Sequence, residues 1–311
     1  MTVAYFTHPL SLKHEMGPGH PECPDRVRVI DDFLRAHGLL DFMLPVTAEA
    51  APPEAILRAH TKQLVAELEH ASPIQGYMPL DGDTTLNPHT FGAALHAAGA
   101  AVGAVDMIMR GAATRAFCNI RPPGHHAERA NAMGFCFLNN AAIAVMHALE
   151  AHGLSRVAVV DFDVHHGNGT EEILAAECDA GRVLMVSTFQ HSIYPGNGIK
   201  PLSAKSVNVP LDPYSKGDAM RDAVTNEWLP ALNAFAPELM VISAGFDAHR
   251  DDPLAMLGWT ESDYRWITQT LVAVADRHCQ GRIVSTLEGG YDLHALSRSV
   301  GEHVKVLVGA A

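Results

Sequence analysis

The sequence predicts an α/β fold in which a mainly parallel sheet is covered by helices. Three observations carry this expectation. Short apolar runs alternate with stretches of helical periodicity, the pattern of strand–helix–strand units. Metal-binding side chains fall just past several of the runs, where open α/β sheets build their sites. The connecting segments are rich in Gly, Pro and His, as a functional rim would be.

In chain order, strands are expected at Val3–Phe6, Arg115–Asn119, Val157–Asp161, Val183–Ser187, Leu239–Ser243 and Ile283–Leu287. Helices are expected at Asp25–His37, Glu54–His70, Pro88–Gly111, Asn139–His152, Asp218–Phe235, Glu261–His278 and Leu293–Val308. Pro24 and Pro88 sit near helix starts, where a missing N–H costs little. Thr260 with Asp263 reads as a helix-start signal. Phe91–Met109 is apolar, but His96 and Asp106 interrupt it, so a buried core helix is expected rather than a membrane span.

At 311 residues, without a linker, repeat or low-complexity block, the chain reads as one large domain over 1–311. It is 48% hydrophobic and 18% charged, which suits a sizeable core. The net charge of −13 and the lack of a Lys/Arg cluster argue against a nucleic-acid partner. Cys23, Cys118, Cys136, Cys178 and Cys279 are scattered and odd in number, which points to a reducing compartment. The first residues lack a basic start and a long apolar run, so no signal peptide is expected and the location is taken as cytoplasmic.

The run Asp161-Phe162-Asp163-Val164-His165-His166-Gly167-Asn168-Gly169 follows one apolar strand. Side chains on extended backbone repeat every second residue, so Asp161, Asp163 and His165 are expected on one side. Asp247 follows a second strand. Two carboxylates and one imidazole, from Asp163, Asp247 and His165, suit a catalytic Zn²⁺ with an open position and would also accept Fe²⁺ or Mn²⁺. The blander reading makes Asp161 and Asp163 caps of the next helix; the second strand-end Asp weakens it. His125 and His126, fixed behind Pro122-Pro123-Gly124, can take a proton from water and return one to a leaving amine. Asp161 can accept a ring N–H and orient one of them. Tyr291, after Gly289-Gly290, can donate a hydrogen bond to a developing oxyanion, although a Tyr there is more often a packed turn residue. Phe135 and Tyr194 are candidate walls of a narrow channel, against the ordinary alternative of core packing. Ser187 and Thr188 can offer oxygens to a structural monovalent cation, or simply turn the chain.

Together these residues resemble the histone deacetylase family, in particular its class II-like bacterial amidohydrolases. The matching motifs are His20-Pro21-Glu22, Arg121 through His126, Gly134-Phe135-Cys136, Asp161 through Gly169, Ser243 through Asp247, Asp252-Pro253-Leu254 and Glu288 through Tyr291. The resemblance implies the arginase/deacetylase fold, three layers around about eight strands. It implies one Zn²⁺ on Asp163, His165 and Asp247, His126 as general base and acid, His125 as electrostatic partner and Tyr291 as carbonyl polariser. It places Gly134, Phe135, Tyr194 and Leu254 along an acyl-lysine tunnel, and Asp83, ahead of Asp81, as the rim carboxylate. It also implies a K⁺ site on Asp161, Asp163, His165, Ser187 and Thr188. Asn168 stands where class I members carry Asp, so His126 would pair with an amide.

The expected reaction is hydrolysis of an N-acyl amide, acetyl-lysine first, to acetate and free amine. The expected partners are acyl-lysine peptides or proteins, or small acylated amines such as acetylpolyamines; no membrane is expected. Leu254 stands where polyamine-selective members carry a Glu gate and speaks against that substrate. A two-metal ureohydrolase would need bridging carboxylates, but Gly167 and His249 occupy the alternate positions. A non-catalytic acyl-lysine binder would not need the reacting residues, all of which are present.

Overall fold

The computed structural model describes residues 2–310. In chain order the elements are β1 (Val3–Thr7), α1 (Asp25–Ala36), β2 (Met43–Thr47), α2 (Pro53–Ala59), α3 (Lys62–Ala71), β3 (Met78–Pro79), β4 (Thr85–Leu86), α4 (Thr90–Met109), β5 (Arg115–Cys118) and α5 (Asn140–Glu150). There follow β6 (Val157–Asp161), α6 (Asn168–Asp179), β7 (Val183–Gln190), β8 (Val207–Leu211), α7 (Gly217–Ala223), α8 (Leu229–Phe235), β9 (Leu239–Ala244), α9 (Glu261–His278), β10 (Ile283–Leu287) and α10 (Leu293–Leu307). Eight strands form one sheet in the order β2-β1-β5-β10-β9-β6-β7-β8, and every pairing in it is parallel. β3 and β4 form a separate two-stranded ribbon.

Strand alternation divides the apolar side chains between two cores. Val157, Val159 and Val241 pack with α2, α4 and α5 on one face, while Ala158, Val160 and Ile242 pack with α1, α9 and α10 on the other. That is the three-layer α/β architecture. α4 is long and apolar enough to cross a membrane, yet 67% of its most apolar stretch is buried in the protein.

Three expectations need correction. The helix expected over Glu54–His70 is two helices, because the buried His60 ring is tied to Glu128 O and Asn139 N, and Thr61 caps α3 by accepting from Leu64 N. The helix expected over Asp218–Phe235 contains a π turn at Val224–Trp228, just before Pro230, whose missing N–H cannot close an α-type bond. The strands β2 and β8 and the helix α6 were not anticipated. β2 and β8 are the sheet edges and each carries a proline, Pro45 and Pro210, which blurs their sequence signal.

His303 on α10 is fully buried between the hydroxyls of Thr268 (2.8 Å) and Ser285 (2.9 Å). Burial pulls its pKa down to about 3. Below about pH 6.5 the unfolded chain binds a proton that the folded protein refuses, so stability falls as pH drops from there toward 3. The melting temperature should decline between pH 7 and pH 5, and less steeply in His303→Gln. An equal slope in the variant would remove His303 as a source.

Candidate active site

Four adjacent strands, β5, β10, β9 and β6, deliver the site from their C-terminal ends. β6 leads into Asp163 and His165, β9 into Asp247, β5 into His125 and His126, and β10 into Tyr291. The extended alternation expected through His165 ends with the strand at Asp161, and the backbone bends over Asp163–His165. Asp161 consequently turns its Oδ2 to His125 Nδ1 (3.1 Å) and its Oδ1 to the N–H of Asp163 (3.0 Å).

Asp163, His165 and Asp247 offer ligand atoms that all lie within 4.8 Å of one another. His165 Nδ1 is 3.1 Å from Asp163 Oδ1 and 3.2 Å from Asp247 Oδ2. Asp247 Oδ1 accepts the N–H of Val164 (2.9 Å), whereas its buried Oδ2 faces the His165 ring nitrogen. Glycines make room for this cage. A Cβ on Gly245 would lie 2.1 Å from Asp163 Oδ2, and one on Gly289 would lie 2.0 Å from Asp247 Oδ2. Burial and the neighbouring Asp163 push the Asp247 carboxyl up. Two buried carboxylates that share an imidazole, with no Lys or Arg salt bridge to either among the described residues, fit a divalent cation better than they fit each other.

A second cluster looks similar and reads differently. Asp106 Oδ1 lies 2.7 Å from His147 Nε2 and 2.7 Å from His152 Nε2. Arg58 Nη1, however, sits 3.0 Å from His147 Nδ1. A guanidinium only donates, so Nδ1 holds the lone pair and Nε2 carries the hydrogen. Both ring nitrogens of His147 are occupied without an ion, and the cluster ties α4 to α5.

The two catalytic candidates of the histidine pair differ electrostatically. Burial opposes charge on His125, but Asp163 and Asp161 outweigh it and lift His125 to about 10. Burial, with the like charges of His125 and His165, holds His126 well below the ordinary histidine range. Its tautomer is also fixed. Asn168 donates through Nδ2 to Glu128 (2.9 Å), so its Oδ1 faces His126 Nδ1 at 2.8 Å and accepts that N–H. His126 Nε2 is left with a free lone pair, which a base requires.

A cavity of about 200 Å³ lies above, lined by Asp83, His126, Gly134, Phe135, His165, Tyr194, Leu254 and Tyr291. Gly134 has φ +57°, and a Cβ there would lie 2.7 Å from the His126 ring and 2.9 Å from Tyr194. Phe135 is held at φ +67°, a strained value for a non-glycine, and meets Tyr291 edge-on at 5.8 Å. Asp81 is spent on its own turn, accepting from Asp83 N and Thr84 N, which leaves Asp83 to face the cavity. Ser187, opposite Asp161 in register, donates to Asn208 (3.3 Å), and the Thr188 hydroxyl is buried without a partner among the described residues.

The supporting roles of several residues, some of them inside the quoted motifs, were not visible in the sequence. Glu22 is fully buried and pairs with Arg121, Arg26 and His14, which explains the His20-Pro21-Glu22 motif as an anchor for the histidine loop. Arg26 Nε donates to Gly290 O (2.7 Å), and its Cζ lies 4.9 Å from the Tyr291 ring centre. Asp252 accepts the N–H of Tyr291 (2.7 Å) and of Leu254 (3.0 Å). His249 turns Nδ1 to the N–H of Asp251 (3.1 Å) and stays outside the metal cage. The one available signal was a charged residue inside a short Gly/Pro motif at a strand end.

A family model for the histone deacetylase domain matches residues 20–307. A probable deacetylase from Archaeoglobus fulgidus is 39% identical over 301 residues, covering 94% of this chain and 82% of that protein. A histone deacetylase-like amidohydrolase from Pseudomonas aeruginosa is 35% identical over 313 residues, covering 93% and 81%. The crystal structure of the HDA15 HD domain superposes with a TM-score of 0.92 at 35% identity, covering all of this chain and 89% of that one. Fold and likeness together define a hydrolase of the deacetylase/amidohydrolase type. The chain belongs to the histone deacetylase family.

Proposed function

We propose that residues 1–311 form one zinc-dependent deacylase domain that hydrolyses linear N-acyl amides, acetyl-lysine side chains first, to acetate and a free amine. The observation that carries this reading is the cage of buried Asp163 and Asp247 with half-buried His165, beside a tautomer-fixed His126 and Tyr291 that line the same narrow cavity. A cavity of about 200 Å³ is below the usual range for drug-sized ligands and suits a slender linear chain. A zinc ion on those three ligands would polarise the amide carbonyl and make water more acidic. His126 Nε2 takes the proton of the attacking water and later hands it to the departing amine. His125, held cationic against Asp161, adds positive charge as the carbonyl oxygen becomes negative. Tyr291 keeps its proton, since burial raises its pKa well above the ordinary phenol value, and donates it as a hydrogen bond to that oxygen. Phe135 and Tyr194 flank the acyl chain, Leu254 lines its entry, and Asp83 receives a substrate N–H at the mouth. Asp161, Ser187 and the backbone of Asp163, His165 and Thr188 would hold a structural potassium ion.

The test is an acetyl-lysine amide assay on zinc-loaded protein, with acetylpolyamines and longer acyl-lysines compared on the same preparation. One zinc per chain and acetate release are expected; two manganese ions per chain, or saturable binding without product, would refute the reading. Tyr291→Phe should lower kcat by on the order of a hundredfold or more with zinc retained. Full activity in that variant would remove Tyr291 from the reaction.

A further inference from the structure

We infer that Glu288 is a positioning residue whose buried carboxylate fastens the backbone of the histidine loop to the turn that carries Tyr291. The inference rests on the hydrolase reading above and adds a residue that touches neither metal ligand nor substrate cavity.

Glu288 follows the last residue of β10 and is fully buried. Its N–H donates to Ala244 O of β9 (2.9 Å), and its own carbonyl accepts from Arg26. Its side chain crosses to the loop after β5. There Oε2 accepts the N–H of Gly124 (2.7 Å) and of His125 (3.1 Å). The other oxygen, Oε1, accepts from the Thr286 hydroxyl at 3.4 Å. Three residues further on stands Tyr291. One side chain therefore sets the distance between the two groups that must reach the same carbonyl and its attacking water.

The histidine loop depends on outside support. Gly124 cannot carry a Cβ, which would lie 2.5 Å from Asn140 N, so the loop contains a flexible residue directly before the pair. α5 and α6 hold it through Asn140 Nδ2 to Pro122 O (3.2 Å) and Thr170 N to His125 O (3.1 Å). Those contacts fix the loop to the helical layer. Glu288 fixes it to the tyrosine turn. Two backbone donors converge on one carboxyl oxygen in a dry interior, an acceptor that serves them whether or not the group is ionised, since burial pushes its pKa up to about 7. Without the acceptor both N–H groups would be stranded, and a shift of about 1 Å at reacting groups can cost on the order of a hundredfold in rate.

The experiment compares Glu288→Met and Glu288→Gln on zinc-loaded protein. Methionine fills a similar volume without an acceptor oxygen. Glutamine keeps one for the two N–H groups and can turn its amide nitrogen to Thr286. Expected are a fall in kcat of about a hundredfold for the methionine protein, with KM and zinc content within about twofold of the parent, and rescue to within about fivefold by glutamine. Should the methionine protein not fold, Glu288→Asp, one methylene too short to reach both donors, carries the same expectation. A kcat within threefold of the parent in the folded methionine or aspartate protein overturns the inference. So does a glutamine protein as impaired as the methionine protein, because then charge rather than the acceptor matters. An inactive parent chain would refute the hydrolase reading itself, which keeps the two failures apart.

Discussion

Exchanging Asp247 for asparagine should strip the protein of its divalent ion and of measurable amide hydrolysis. The substitution is close to isosteric, and the amide oxygen can still accept from Val164 N–H, so the loop after β9 should keep its place. What disappears is the negative charge of the carboxylate whose Oδ2 faces His165 Nδ1 at 3.2 Å. Loss of a residue that merely orients a ligand costs about 10–100-fold in metal affinity, and loss of a ligand should exceed that. Zinc titration with a competing chelator measures it directly. A variant that holds zinc as tightly as the parent would mean that the cage does not bind the metal.

His126→Ala should leave zinc content and KM near parental values and lower kcat by about 10²–10⁴-fold, the range for a lost general acid–base. The same residue sets a pH expectation. Burial and the neighbouring histidines hold His126 below the ordinary imidazole range, so it stays neutral as pH falls through about 6.5. The acid limb of kcat/KM should therefore lie below that value. A profile that halves at or above pH 6.5 would point to another base.

Much of the site was legible because its residues obey a positional rule. Asp163, His165 and Asp247 come just beyond uninterrupted apolar strands, and the pairing of β6 with β9 brings them together. The central strands were legible for the same reason: Val157–Asp161 and Leu239–Ala244 are buried throughout and carry no breaker. The edges were not. Pro45 and Pro210 sit in exposed or half-buried strands whose composition resembles loop. α6 was hidden because it begins at Asn168, inside a motif read for its ligands. Asp252 and Glu288 were legible as motif members but their roles were not, because their main partners are backbone groups, which carry no residue identity; Glu288 and Gly124 are 164 positions apart. The π turn before Pro230 was written in the sequence but masked by the strong periodicity around it.

The candidate metal cage joins β6 to β9, and Gly289 of the β10 turn closes it with a 2.8 Å bond to Asp163. These segments are distant along the chain, and the sheet that unites them is wholly parallel, so no hairpin can assemble them early. In refolding, zinc uptake should lag behind the growth of helical circular dichroism and coincide with the last cooperative phase. Added metal would then slow the unwinding of the finished protein without hastening its formation, making ion capture a clock for completion of the sheet.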